Sequence, residues 1–323
     1  MRLSAAVSAN QSIRMIRQRI FLNTSDEISE FLFDATGMIP GYTQYSAGAA
    51  DLEYDMVDLD GITLLWARGT SHCRWLDQMS DDGRVHFGFI VSAGRGAVSL
   101  GHELTPEDAM LFLPGQEMDY VFLGPVVTLE IGVSREIADQ LGWQMFGAPL
   151  SKRPLPLLQQ LERVCRHATR TASSHPLSDA QLAELKAAVL DALEVALTPW
   201  LEEDPTIAQF VDSGSPAYRV LQDLDDLLMH PDAVDVDVGD MAHRLGVSRR
   251  TLFYALRKSA GLTPRRYQEL LLLRRLRQNL RDANVGNNTV TQLASELGFG
   301  DLGRLSGKYH KQFGEYPHET LRN

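Results

Sequence analysis

Along the first 150 residues, apolar positions fall in short runs broken by turn residues. The runs SIRMIRQRIFL, EYDMVDLDGITLLWARG, RVHFGFIVSAG, AVSLG, AMLFLPG, MDYVFLG and VVTLEIGV are rich in Val, Ile, Leu and Phe. Asp60-Gly61, Asp82-Gly83 and Pro114-Gly115 punctuate them. Many short strands with turns at this spacing predict a sandwich or barrel. One helix is expected among them, over 25–36, with Ser25 as its N-cap. From residue 151 the period lengthens to three and four. LPLLQQLERVCRHATRT and SDAQLAELKAAVLDALEVAL read as two amphipathic helices, the second opened by Ser178. Such a pair either covers the barrel or joins a second copy of the chain, and the reading adopted is a homodimer through 151–200. Residues 201–216 (LEEDPTIAQFVDSGSP) read as an acidic linker. From 217 onward the pattern is helical throughout.

That last region contains a repeat. DVGDMAHRLGVSRRTLFYALRKSAGLTP (237–264) aligns with TVTQLASELGFGDLGRLSGKYHKQFGEYP (289–317). Ala242, Leu245 and Gly246 match Ala294, Leu297 and Gly298 at an offset of 52. Leu252, Leu256, Gly261 and Pro264 match Leu305, Tyr309, Gly314 and Pro317 at 53, so the second turn holds one extra residue. Each copy reads as a helix-turn-helix. Asp237-x-x-Asp240 and Thr289-x-x-Gln292 resemble capping boxes. Glycine at 246 and 298 suits the left-handed closure of a short helix. Between the copies, PRRYQELLLLRRLRQNLRD (264–282) predicts a helix of roughly 27 Å, comparable to the ~34 Å turn of B-DNA. The expected class is therefore α+β: a β-barrel or sandwich over 1–150, a helical segment over 151–200, the linker, and an all-α domain over 217–323.

Charge sharpens the picture. The net charge of −11 over 323 residues divides into −10 for 1–200, −9 for 201–239 and +8 for 240–323. A basic third on an acidic body fits a polyanion-binding domain. No apolar run is long enough for a membrane span, and the N-terminus lacks the apolar core of a signal peptide. A soluble cytoplasmic protein, with no membrane partner, is expected. Cys73 and Cys165 are too few for a disulfide framework or a Cys-rich metal site, and read as buried structural thiols.

The double motif resembles the DNA-binding domain of the AraC/XylS family of bacterial transcription regulators. The resemblance is carried by VSRRTL (247–252), GLTPRRY (261–267), LASELGF (293–299) and Tyr309 with Phe313-Gly314-Glu315-Tyr316-Pro317, with YRVLQDLDDLLMH (218–230) as the opening helix. Within the family, SRRTL and FGEYPHETL are most similar to the ethanolamine-operon regulator type. The resemblance implies a cupin-like N-terminal barrel, and LFLPGQEMDYVF (111–122) is similar to one. The metal-binding cupin pattern is missing: His-x-His occurs nowhere, and Glu117-Met118 stand where a histidine is expected. No metal and no cofactor are implied.

The resemblance implies binding to double-stranded promoter DNA, with RNA polymerase as a partner if the protein activates. Base contacts fall to Arg250, Phe253 and Tyr254 in the first motif and to Arg304 in the second, where Gly303 and Gly307 occupy positions that usually bear reading side chains. Core packing is the alternative for Phe253. Arg249, Ser248, Thr251, Ser306, Lys308 and Lys311 are further candidates, and Arg274, Arg275 and Arg277 read as phosphate contacts or solvated surface. The N-terminal domain is expected to sense an unidentified small molecule, with Trp66, Trp75, His86, Phe89 and Tyr120 as candidate pocket residues. Control by a protein partner or by abundance is the alternative. A DNA-tethered cupin-like enzyme ranks last, because no metal set, nucleophile elbow or phosphate loop is present.

Overall fold

The structure is a computed structural model and describes residues 18–22, 28, 41–78, 83–112, 117–143, 150–174, 177–201, 214–230, 236–283 and 288–322. All of the helix expected over 25–36 but residue 28, the Pro114-Gly115 turn and most of the 201–216 linker lie outside them. The chain divides into two compact units. A β unit holds 50–99 and 103–213 with the residues before 44, and a helical unit holds 214–323 with 44–49 and 100–102.

Among the described residues, twelve strands form two sheets. In chain order they are β1 (Gln18–Leu22), β2 (Thr43–Gln44), β3 (Leu52–Asp58), β4 (Ile62–Gly69), β5 (Cys73–Gln78), β6 (Arg84–Ala93), β7 (Ala97–Ser99), β8 (His102–Leu104), β9 (Asp108–Phe112), β10 (Glu117–Phe122), β11 (Val126–Ser134) and β12 (Leu150–Lys152). The larger sheet runs β1-β3-β4-β11-β6-β9-β12 and the smaller β2-β5-β10-β7-β8. The pairings are nested: β4 with β11, β5 with β10, β6 with β9, β7 with β8, and successive pairs fall in alternate sheets. A long hairpin rolled up on itself has this connectivity, which is that of a jelly roll of the cupin kind. The Asp60-Gly61 turn forms the β3–β4 hairpin as its sequence predicts. Both residues have positive φ (56° and 92°), and Leu59 N–H donates to the Ile62 carbonyl at 2.8 Å. Strands β2, β5, β8 and β12 have no counterpart among the apolar runs.

Strand alternation gives the larger sheet two different faces. On one, three rows cross β4, β11 and β6: Trp66–Leu129–Phe89, Leu64–Ile131–Phe87 and Ile62–Val133–Val85. This face is covered by α1 (Arg135–Gln140), α2 (Leu155–Ser174) and α3 (Asp179–Leu201). Leu158, Leu161, Cys165 and Ala168 of α2, with Val189, Leu193, Ala196 and Leu197 of α3, share its core. Ser178 Oγ accepts the Gln181 N–H at the start of α3, as its sequence position predicts. The apolar faces of α2 and α3 thus pack on their own sheet, which is the first of the two roles open to them from sequence. The other face of the sheet meets the smaller sheet, and Leu52, Tyr54, Cys73 and Phe112–Tyr120 contacts fill the space between.

The helical unit contains α4 (Pro216–Met229), α5 (Val238–Arg244), α6 (Arg249–Ala260), α7 (Pro264–Asp282), α8 (Val290–Glu296), α9 (Leu302–Phe313) and α10 (Pro317–Thr320). Ser215 caps α4, and Thr263 caps α7 ahead of Pro264. Helix α4 packs on α6 through buried Leu221, Leu224 and Leu228. In the LLLL run, Leu270 and Leu273 are buried and Leu271 and Leu272 half-buried. Leu273, Leu276 and Leu280 of α7 form one core with Leu293, Ala294, Leu305 and Tyr309 of α8 and α9. No helix among the described residues is long and apolar enough to cross a membrane.

Candidate nucleic-acid interface

The two motifs share the same cap–helix–glycine–cap plan where the sequences align. Asp237 closes a capping box at the start of α5, its carboxylate accepting from Gly239 and Asp240 N–H. Thr289 caps α8 by accepting from Gln292 N–H at 3.2 Å, but Gln292 turns to Glu296, so the expected second box is only half made. Gly246 (φ 64°) and Gly298 (φ 78°) end the first helix of each motif in the left-handed region. The following N–H, Val247 or Phe299, returns to the Ala242 or Ala294 carbonyl at 2.9 and 3.0 Å. Ser248 then caps α6 through Thr251 N–H at 3.0 Å, and Asp301 caps α9 through Arg304 N–H at 3.1 Å.

On α6, Leu252, Ala255 and Leu256 are buried, while Arg250, Phe253, Tyr254, Arg257 and Lys258 are exposed. Phe253 is 41 % and Tyr254 62 % exposed, which places both outside the core. The Ser248 and Thr251 hydroxyls lie 2.8 Å apart and are engaged with each other and with the cap. The Arg249 guanidinium lies over Gly239, where a Cβ would clash with it, and it faces the Asp237 carboxylate. The hydrogen bonds from Asp240 and Gly239 N–H, with Arg249 beside them, hold that carboxyl below the usual aspartate range.

The offset of 53 makes Gly303, Ser306 and Gly307 the equivalents of Arg250, Phe253 and Tyr254. Nothing lies within 4 Å of a Cβ built at Gly307, and at Gly303 only the Asp301 carboxylate does, at 3.6 Å. Arg304 is exposed and pairs with Asp301 at 3.2 Å. Lys311 is exposed, and Ser306 half-buried. Lys308 is exposed, with its Nζ 2.5 Å from Glu269 of α7. One expectation needs correction. Arg277 is neither solvated nor placed as a phosphate contact. It is 11 % exposed, bonded to Glu315 at 2.8 Å and stacked 4.8 Å over Phe313. Glu269 and Glu315 go unmarked in the sequence because each partner lies 38 or 39 residues away.

The five pocket candidates of the β unit do not come together. Trp66 and Phe89 stand on the helix-covered face, in the first of its three rows. Trp66 donates from Nε1 to Thr169 Oγ1 of α2 at 3.0 Å, with Arg166 4.6 Å over its ring. His86, Trp75 and Tyr120 belong to the interior between the sheets. There His86 Nδ1 meets Glu130 at 2.8 Å, and Trp75 and Tyr120 are cross-strand partners. A cavity of about 30 Å³ beside Trp75, Tyr42, Cys73 and Phe122 has room for one or two waters.

A family model described as a helix-turn-helix domain matches residues 241–323. Residues 241–323 are an AraC/XylS-type helix-turn-helix domain. This AraC/XylS-type domain is similar to several curated regulators. One is the XylDLEGF operon transcriptional activator 1 of Pseudomonas putida, 31 % identical over 115 residues, or 35 % of this chain and 34 % of that protein. The probable thc operon regulatory protein of Rhodococcus erythropolis is 35 % identical over 85 residues, 26 % of each. The HTH-type transcriptional activator RhaS of Pectobacterium carotovorum is 32 % identical over 89 residues, 28 % of this chain and 30 % of RhaS. The chain thus spans about a third of the length of these relatives. Among solved structures, that of the AraC-like transcriptional activator CuxR covers 87 % of this chain and all of its own, at 12 % identity and a TM-score of 0.41.

Proposed function

We propose that the protein is a sequence-specific transcription regulator that binds promoter DNA through both helix-turn-helix motifs, working with the chromosome in the bacterial cytoplasm. The observation that carries this reading is the outer face of α6, where Arg250, Phe253 and Tyr254 project from a capped helix whose opposite face is core. Arginine at such a position makes bidentate contacts to guanine, and an aromatic ring packs on a thymine methyl. Affinity comes from Arg and Lys at phosphates and falls steeply with salt. Arg304 and Lys311 supply such contacts from the second motif.

The β unit modulates this binding in response to a small molecule, and the protein acts as a homodimer. The jelly-roll topology and the His86–Glu130 pair inside it support a ligand-responsive role, with His86, Trp75 and Tyr120 on the inward faces. The outer surface of α3, with Ala187, Ala188 and Val195 exposed, is the apolar helical surface left for a second copy.

The test is a genome-wide recovery of DNA by the full chain beside Arg250→Ala at near-physiological salt. A few promoters sharing one motif, lost with the variant, are expected. Diffuse recovery, equal for both proteins, overturns sequence-specific reading by α6.

A further inference from the structure

The two motifs carry the same backbone but not the same surface. Where α6 bears Arg250, Phe253 and Tyr254, α9 bears Gly303, Ser306 and Gly307, with open space above Gly307. Two of the cations that α9 carries, Arg304 and Lys308, are drawn toward carboxylates of the protein itself. Arg304 pairs with Asp301 in solvent, a contact of little strength. Lys308 is held differently. Its Nζ reaches back from α9 to Oε1 of Glu269 on α7 at 2.5 Å. Oε2 of the same carboxylate accepts from Arg266 Nη1 at 2.8 Å, and Arg266 Nη2 in turn donates to Gln312 of α9 at 3.1 Å. Glu269 is 23 % exposed, so solvent screens this pair less than it screens Arg304–Asp301. Partial burial works to raise the Glu269 carboxyl. The hydrogen bonds from Lys308 and Arg266 outweigh it, and the carboxyl is held below the ordinary glutamate value.

We propose that Glu269 restrains the second motif's grip on DNA: it keeps Lys308 folded onto α7, so that α9 meets the phosphates one cation short and serves as a weak, sequence-indifferent anchor. The proposal rests on the DNA-binding reading above. Its physical content is a count of phosphate contacts. Each contact contributes about 0.9 to the slope of log affinity against log salt on duplex DNA. Freeing Lys308 therefore adds about 0.9 to the slope without adding base information, since a lysine ammonium meets phosphate as a point charge.

The experiment uses the full chain and a mixed-sequence duplex of about 30 base pairs, roughly three helical turns. Binding is measured from low to near-physiological salt for the parent, Glu269→Gln and the double variant Glu269→Gln/Lys308→Gln. The expected result is a slope about 0.9 steeper for Glu269→Gln, with tighter binding at low salt, and a return to the parental slope in the double variant. A steeper slope that survives Lys308→Gln overturns the proposal, because removal of one negative charge then suffices. Weaker binding by Glu269→Gln with an unchanged slope also overturns it, and makes Glu269 an orienting residue for α9. A parent that binds no duplex at any salt fails the DNA-binding reading itself. A parent that binds with a variant indistinguishable from it fails only the restraint.

Discussion

Replacing Trp66 with phenylalanine separates a ligand-pocket role from a structural one. Trp66 is 1 % exposed, and its Nε1 donates to Thr169 Oγ1 at 3.0 Å across the sheet–helix boundary. Losing that hydrogen bond costs about 1 kcal/mol. The cost stays near that value because the Thr169 hydroxyl still donates to the Cys165 carbonyl at 2.9 Å and is not left wholly unpaired. The smaller ring buries some 40–50 Å² less apolar surface, which adds about 1 kcal/mol. The expected loss is therefore about 2 kcal/mol. Intrinsic fluorescence reads it cleanly, since all four tryptophans, at 66, 75, 143 and 200, fall in the β unit. With a urea slope of about 2 kcal/mol per molar, the fluorescence midpoint falls by about 1 M at unchanged slope. Thr169→Val lowers it too, and the double variant loses less than the two singles together, because one bond joins the pair. A midpoint within about 0.2 M of the parent refutes the reasoning and returns Trp66 to the list of pocket residues.

Gly246→Ala destabilises the helical unit by about 1–2 kcal/mol, followed by helical circular dichroism in urea; with nothing within 4 Å of the new Cβ, the whole cost is the left-handed backbone, and an unchanged midpoint contradicts that account. Burial pushes the Cys73 thiol up to about 12 and raises Cys165 as well, so a disulfide reagent at pH 8 labels neither in the folded chain and both in urea; rapid native labelling of either contradicts the structure. The Glu269 carboxyl is depressed in the folded chain, so its contribution to stability is fully present above the unfolded value near 4.3 and is lost as pH falls through the folded one. Urea titrations of the parent and Glu269→Gln should therefore converge as pH drops below about 4.3, and a difference that widens there runs against the ion pairs described.

The helical unit is readable from sequence because its determinants are local. Gly246 and Gly298 mark helix ends, Ser248 and Thr263 mark helix starts, and the three- and four-residue spacing of Leu252, Ala255 and Leu256 marks the inner face of α6. The same spacing puts Arg250 and Tyr254 outward and decides the two-way reading of Phe253. The β unit is readable only as a class. Its connectivity pairs β4 with β11 across some 60 residues, a choice no local signal makes. Strand β5 (CRWLDQ) hides because charged and polar residues interrupt its apolar positions, and those residues are satisfied at a distance: Arg74 is buried in a bidentate pair with Asp119 of β10. Arg277 misleads for the same reason, since a cation on a basic helix is indistinguishable in sequence from one already committed to a distant carboxylate.

The pocket candidates show how period-two alternation outweighs residue type. Aromatic and histidine side chains qualify as pocket residues by their chemistry, yet parity along the strand decides where each one points. In β6, Phe89 and His86 differ by an odd number of residues, and so one faces the helices and the other the smaller sheet. Glu130 stands one residue from both Leu129 and Ile131, the middle members of two core rows, and by parity points away from them toward His86. Gly132, next on that inner face, is what lets the imidazole in: a Cβ there lies 3.2 Å from His86 Cε1 and from Arg84 Cδ. An alanine at 132 consequently presses on the ring that holds Glu130, whereas an alanine at Leu129 opens the helix-covered core. The two faces of one sheet thus separate an interior that admits the His86–Glu130 pair among apolar side chains from a wholly apolar face that holds α2 and α3.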